Sequence, residues 1–131
     1  MTLAVDTSVL VAIALNEPER SVFIDRIQSA TEPVVSAVSV LEAGIVLSVR
    51  LRGFATADLT SLIDGLGLTV RPFDKAQADL ALAAYRRFGK GFDPRARLNL
   101  GDAIAYALAV REGLPLLFKG EDFAATDIRP A

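Results

Sequence analysis

Short apolar runs alternate with longer stretches of helical periodicity from one end of the chain to the other. Residues 3–5 read as a brief strand and residues 8–15 as the helix that follows it. Pro18 and Glu19 suit the opening turn of a second helix reaching about residue 30, with Val22, Phe23 and Ile27 on one face. A second strand is expected at 33–36, then a long helix at 38–52 closed by Gly53, then a helix at 56–66 capped by Thr56. Residues 68–70 read as a third strand, which Pro72 ends. Asp74 is placed to cap a helix rich in Ala and Leu that runs to about residue 88. After a loop of Gly, Pro, Arg and Lys at 89–97, a last helix is expected at 99–112, with Gly113 beyond its end. A fourth strand follows at 114–118, and the tail adds a short fifth near Ile128.

Strands separated by whole helices need crossover connections, which implies an α/β fold with a mainly parallel central sheet flanked by helices. No repeat, low-complexity tract or linker interrupts the pattern, so residues 1–131 read as a single domain. In such a sheet the carboxyl ends of the strands share one edge with the N-termini of the following helices, and ligands bind there.

Composition narrows the chemistry available at that edge. The chain has no His and no Cys, which excludes imidazole acid–base pairs, thiol nucleophiles, zinc ribbons and disulfides. With 14 basic and 16 acidic side chains the net charge is −2, which argues against a blanket electrostatic grip on nucleic acid but leaves room for a local basic patch. The N-terminus lacks a signal-peptide pattern and no apolar stretch is long enough to span a bilayer, so a cytoplasmic protein without membrane attachment is expected.

Four acids fall at the expected edge: Asp6 after the first strand, Glu42 and Asp102 in the first turns of two helices, and Asp122 after the fourth strand. Each has an ordinary explanation, since Ser39-x-x-Glu42 and Asn99-x-x-Asp102 resemble capping boxes and Asp6 or Thr7 could cap the first helix. Convergence favours another one. Clustered carboxylates resist ionisation beside one another, and a fold that gathers them usually supplies a cation. Glu42 shares its helix face with Ile45, Val46 and Val49, and Asp102 shares its own with Ala105, Tyr106 and Ala109. Charged groups on apolar faces need partners. Oxygen-only ligands point to Mg²⁺, with Mn²⁺ as a substitute, and a hard divalent ion at an open edge suits phosphodiester cleavage by an activated water.

Arg86, Arg87, Lys90, Arg95 and Arg97 crowd into the region that leads to Asp102, opposed there only by Asp93. With Phe88 and Phe92 interleaved and able to stack on bases, they read as a grip on the backbone of a polyanion, the alternative being an ordinary solvated loop with its phenylalanines packed inward. Lys119 is placed to contact a phosphate or to offset local negative charge. Ser8 and Asn99 are supporting residues, as ligand-orienting groups or as helix caps.

These residues resemble the PIN-domain family, specifically VapC-type ribonuclease toxins of type II toxin–antitoxin pairs. The resemblance is carried by Val5-Asp6-Thr7-Ser8, by Ser36-x-x-Ser39-x-x-Glu42, by Asn99-Leu100-Gly101-Asp102-Ala103 and by Phe118-Lys119-Gly120-Glu121-Asp122. It implies a three-layer α/β fold and a Mg²⁺-dependent endoribonuclease, normally a homodimer, held inactive by a cognate antitoxin, with structured or transfer RNA as substrate. By motif, Asp6, Glu42 and Asp102 are the catalytic acids, and Asp6 and Asp102 the most direct metal ligands. Glu42 and Asp122 bind directly or through water. Many relatives carry a Thr and an Asp where this chain has Phe118 and Gly120, so Asp122 stands in as fourth acid, ahead of Glu121 and Asp127. Two rivals are a catalytically inactive PIN-like binding or dimerisation module and, more remotely, an aspartyl-phosphate phosphotransferase.

Overall fold

A computed structural model describes residues 1–131. Strands β1 (Ala4–Val5), β2 (Val34–Ser36), β3 (Thr69–Arg71) and β4 (Leu116–Leu117) form one sheet in the order β3-β2-β1-β4. Every pairing is parallel, with Ala4 opposite Val34 and Leu116, and Val35 opposite Val70. Helices α1 (Thr7–Ala14), α2 (Arg20–Ser29), α3 (Ala37–Arg50), α4 (Thr56–Gly65), α5 (Lys75–Phe88) and α6 (Leu100–Glu112) make the crossovers. The expected fifth strand reduces to a single parallel bridge between Leu116 and Pro130, because only Leu116 N–H and Ala131 N–H find backbone partners there.

Alternation along the short strands divides the core into two layers. Val5, Val35 and Leu117 face one side and pack with Leu10, Ile13, Phe23, Ile27 and Ile63. Ala4, Val34 and Leu116 face the other and pack with Phe88, Leu98, Tyr106, Leu108 and Phe123. The result is helices, sheet, helices. Helix α6 has little polar face: Asp102 through Ala109 are all buried, and its many alanines let sheet and neighbouring helices approach closely. Gly113 ends it in the left-handed conformation, φ 66°, at no steric cost to a residue without Cβ.

Local details correct the sequence reading in four places. Thr56 is the first helical residue rather than the cap; Ala55 precedes it, and the Asp58 carboxylate accepts from Ala55 N–H at 2.8 Å. Ser36, not Ser39, caps α3 by accepting from Val38 N–H at 3.2 Å. Ser39 is instead buried one turn later, its hydroxyl without a hydrogen-bond partner. Val22 points to solvent while Phe23 and Ile27 are buried, since the stripe of α2 that meets the core is narrower than its apolar pattern.

Candidate active site

Asp6 leaves β1 in extended conformation and caps α1. Its Oδ2 accepts from both the N–H (3.1 Å) and the hydroxyl (2.6 Å) of Ser8. The same Ser8 hydroxyl oxygen accepts from Lys119 N–H at 3.0 Å, which ties the segment after β4 to the start of α1. Asp6 is only 4% exposed, and burial, opposed by the Ser8 hydrogen bonds and aided by the charge of Glu42, pushes its carboxyl up to about 6.

Asp102 is anchored by a reciprocal cap. Asn99 Oδ1 accepts from Asp102 N–H at 2.8 Å, and Asp102 Oδ2 accepts from Asn99 N–H at 3.0 Å. At 8% exposure its carboxyl is pushed up to about 7, first by burial and then by the charges of Asp6, Asp122 and Glu42. Asp102 therefore feels the charges of Asp6, Asp122 and Glu42, and Asp6 feels that of Glu42. No three of them are drawn together into a ready-made ligand cluster.

Glu42 enters from α3. Its half-buried carboxylate lies against Gly101, where a Cβ would collide with both carboxylate oxygens. This contact puts a negative charge beside the N-terminal turn of α6, where the helix dipole favours it. The apolar face that Glu42 shares is not a buried one, however. Ile45 is 58% exposed and Val49 80%, because α3 meets the core through Ala43 and Leu47 on its opposite side. Asp122 is exposed beyond β4, as is Glu121. Asp127 accepts from Tyr106 hydroxyl at 2.7 Å and pairs with Arg87 at 3.4 Å, and neither buried acid feels its charge.

The donor set fits a hard divalent cation. It consists of carboxylate oxygens alone, two of them on side chains that burial and mutual repulsion hold partly protonated near neutrality, so an added positive charge would stabilise their ionised forms. The space that Gly101 leaves for Glu42 completes the approach from α3.

The basic residues separate into different environments. Arg86, Lys90 and Arg97 are exposed, Arg95 stands 3.8 Å from Asp93, and Lys119 pairs with Glu17 at 3.0 Å and Glu19 at 3.2 Å. Those two carboxylates hold the Lys119 ammonium above its ordinary value. Phe88 is buried against Tyr106, whereas Phe92 is exposed and edge-on to Tyr85. Sequence reasoning missed Gly101 and the Tyr106–Asp127 bond. A glycine in the first turn of an otherwise Ala-rich helix is the signal that could have found the first; nothing in the local pattern announces the second.

Residues 3–129 match the family model described as PIN domain. Over 129 residues the chain is 40% identical to a VapC ribonuclease of Mycobacterium bovis, Mb2780c, with 98% of each chain covered. It is also 40% identical to ribonuclease VapC28 of Mycobacterium tuberculosis, covering 98% of this chain and 97% of that one. Among solved structures it resembles Mycobacterium tuberculosis VapC20, described as a sarcin–ricin loop cleaving toxin, with TM-score 0.75 at 17% identity over 98% of this chain and 99% of the other. A toxin–antitoxin complex from Klebsiella pneumoniae gives TM-score 0.71 at 16% identity, covering 95% and 92%.

Proposed function

The chain belongs to the PIN-domain family, and from that premise we propose that it is a metal-dependent endoribonuclease, the toxin of a type II toxin–antitoxin pair. The observation that supports this reading best is the burial of Asp6 and Asp102 at helix starts, with Asp102 under the charges of Asp6, Asp122 and Glu42, residues from distant parts of the chain. Asp6 and Asp102 would hold Mg²⁺ directly, with Glu42 and Asp122 binding directly or through water and Mn²⁺ as a substitute ion. When bound, such an ion polarises a phosphoryl oxygen and lowers the pKa of water at the phosphodiester.

The chain's own residues fix the two buried acids in place. Ser8 engages Asp6 Oδ2 and leaves the other carboxylate oxygen free of that pair of bonds. Asn99 fixes Asp102 through backbone and side chain together. Both supports lie in the first turn of a helix, so side-chain rotation at the site is restricted by the fold itself. The exposed Arg86, Lys90 and Arg97, with Phe92 among them, would contact the RNA backbone and bases. Lys119 braces the edge against Glu17 and Glu19.

The partners are the cognate antitoxin, an RNA substrate of structured or transfer type, and a second copy of the chain, acting in the cytoplasm. No helix is long and apolar enough to cross a membrane. The exposed α3 stripe of Leu41, Ile45 and Val49, which lines an open cleft of about 510 Å³ with Phe54 and Leu59, suits a protein partner, and we assign the stripe to the homodimer.

The test is cleavage of total RNA by purified protein. Asp6→Asn and Asp102→Asn should each cut activity at least about a hundredfold while circular dichroism stays unchanged, and excess EDTA should abolish it. Full activity in either variant, or in EDTA, would defeat the reading in favour of the inactive binding module or other chemistry.

A further inference from the structure

On the α5–α6 side lies a polar cavity of about 420 Å³ whose walls include Arg87, Asp93, Arg95, Thr126 and Asp127. One of its walls is tied to α6, the helix that carries Asp102. Tyr106, whose hydroxyl holds Asp127 at 2.7 Å, is four residues from Asp102 on α6, a rise of about 6 Å. Arg95 stands in the loop that runs directly into Asn99 and Asp102.

The lining pairs two guanidiniums with two carboxylates. Arg87 donates to Asp127 Oδ2 at 3.4 Å and Arg95 stands 3.8 Å from Asp93, whose Oδ1 also accepts from the N–H groups of Arg95 and Ala96; the two Arg side chains are 65% and 80% exposed. Their outer N–H groups therefore remain available. The Arg87 guanidinium lies 4.5 Å from the Phe88 ring centre, which keeps that planar group against a flat surface. Asp127 is held from behind by Tyr106, whose hydroxyl is pushed up to about 12 by burial and by that carboxylate, so it remains a donor throughout the working pH range.

We propose that this cavity is a guanine subsite for an RNA strand lying across the catalytic acids. The inference rests on the ribonuclease reading and adds the base that the enzyme selects. A phosphate site would collect unmatched cations, whereas this lining is charge-balanced and offers donors and acceptors side by side. Guanine presents two acceptors, O6 and N7, which an arginine fork matches. It also presents two donors, N1–H and N2–H, which a carboxylate matches. Adenine, cytosine and uracil each lack that combination. Unpaired bases in single-stranded RNA expose both edges for such contacts.

Titration of the whole protein with GMP, AMP, CMP, UMP and inorganic phosphate, followed by calorimetry or amide NMR shifts, tests the assignment. GMP should bind at least about tenfold more tightly than the other nucleotides, and Arg95→Ala and Asp127→Asn should each weaken it by about tenfold or more. Arg95 is exposed, so its variant tests the site even if Asp127→Asn disturbs Tyr106. Equal binding of all four nucleotides, phosphate competing as well as GMP, or indifference to Arg95→Ala would overturn the proposal. Cleavage of RNA is scored separately with wild-type protein. Guanine selectivity without cleavage would sink the ribonuclease reading alone; cleavage without GMP selectivity would sink the subsite alone.

Discussion

Asp6 and Asp102 are held at a cost to the folded protein. In the unfolded chain both ionise near the ordinary 3.8, but in the fold they do so near about 6 and about 7. Across that interval the folded state binds more protons, so stability is highest at the acid end, falls as pH rises from about 4 towards 7, and levels off above. Both shifts run the same way, so the two sites act on stability in the same direction. In chelator, the wild-type melting temperature should drop between about pH 5 and pH 7.5, while Asp102→Asn flattens the drop and melts higher at pH 7.5. A pH-independent melting temperature would contradict the burial of these groups. Gly101 makes the same point in reverse. Alanine there would favour the helix by about 1 kcal/mol, yet its Cβ would displace Glu42. Gly101→Ala should therefore hold or raise the melting temperature while RNA cleavage falls about a hundredfold. Retained cleavage would remove Glu42 from the machinery.

Among the elements, α3 and α6 have opposite surfaces. Helix α6 is buried from Asp102 to Ala109, and its two polar anchors, Asn99 and Asp102, lie at its N-terminal end. Helix α3 buries Ala43 and Leu47 and leaves Leu41, Ile45 and Val49 exposed, a stripe at helical spacing along an open cleft with Phe54 and Leu59. Charges on that stripe would desolvate badly in an interface between copies. Ile45→Glu with Val49→Glu should shift light scattering from dimer to monomer without loss of helical signal. An unchanged mass would place the homodimer interface elsewhere, or show that there is none.

For the whole molecule, divalent ion binding and folding are linked, because the acids come together only in the native state. An ion at a hundred times its dissociation constant stabilises by about 2.7 kcal/mol, which for a domain of this size is a rise of several degrees in melting temperature. Mg²⁺ or Mn²⁺ should produce that rise in wild type and not in Asp102→Asn. The element order, the parallel crossovers, the caps at Asp74 and Asn99 and the placing of acids after strands were all legible in the chain, because each depends on neighbours a few residues away. Periodicity also showed which side of each helix is apolar. It could not say whether another element covers that side, and so Ile45 and Val49 of α3, and Val22, were read as packed inward when they face solvent. Nor could spacing show that Glu42 rests on Gly101, that Asp127 is taken by Tyr106, or that Lys119 is spent on Glu17 and Glu19. Those contacts join residues far apart along the chain, and their distances are set only when helices settle at particular angles on the sheet.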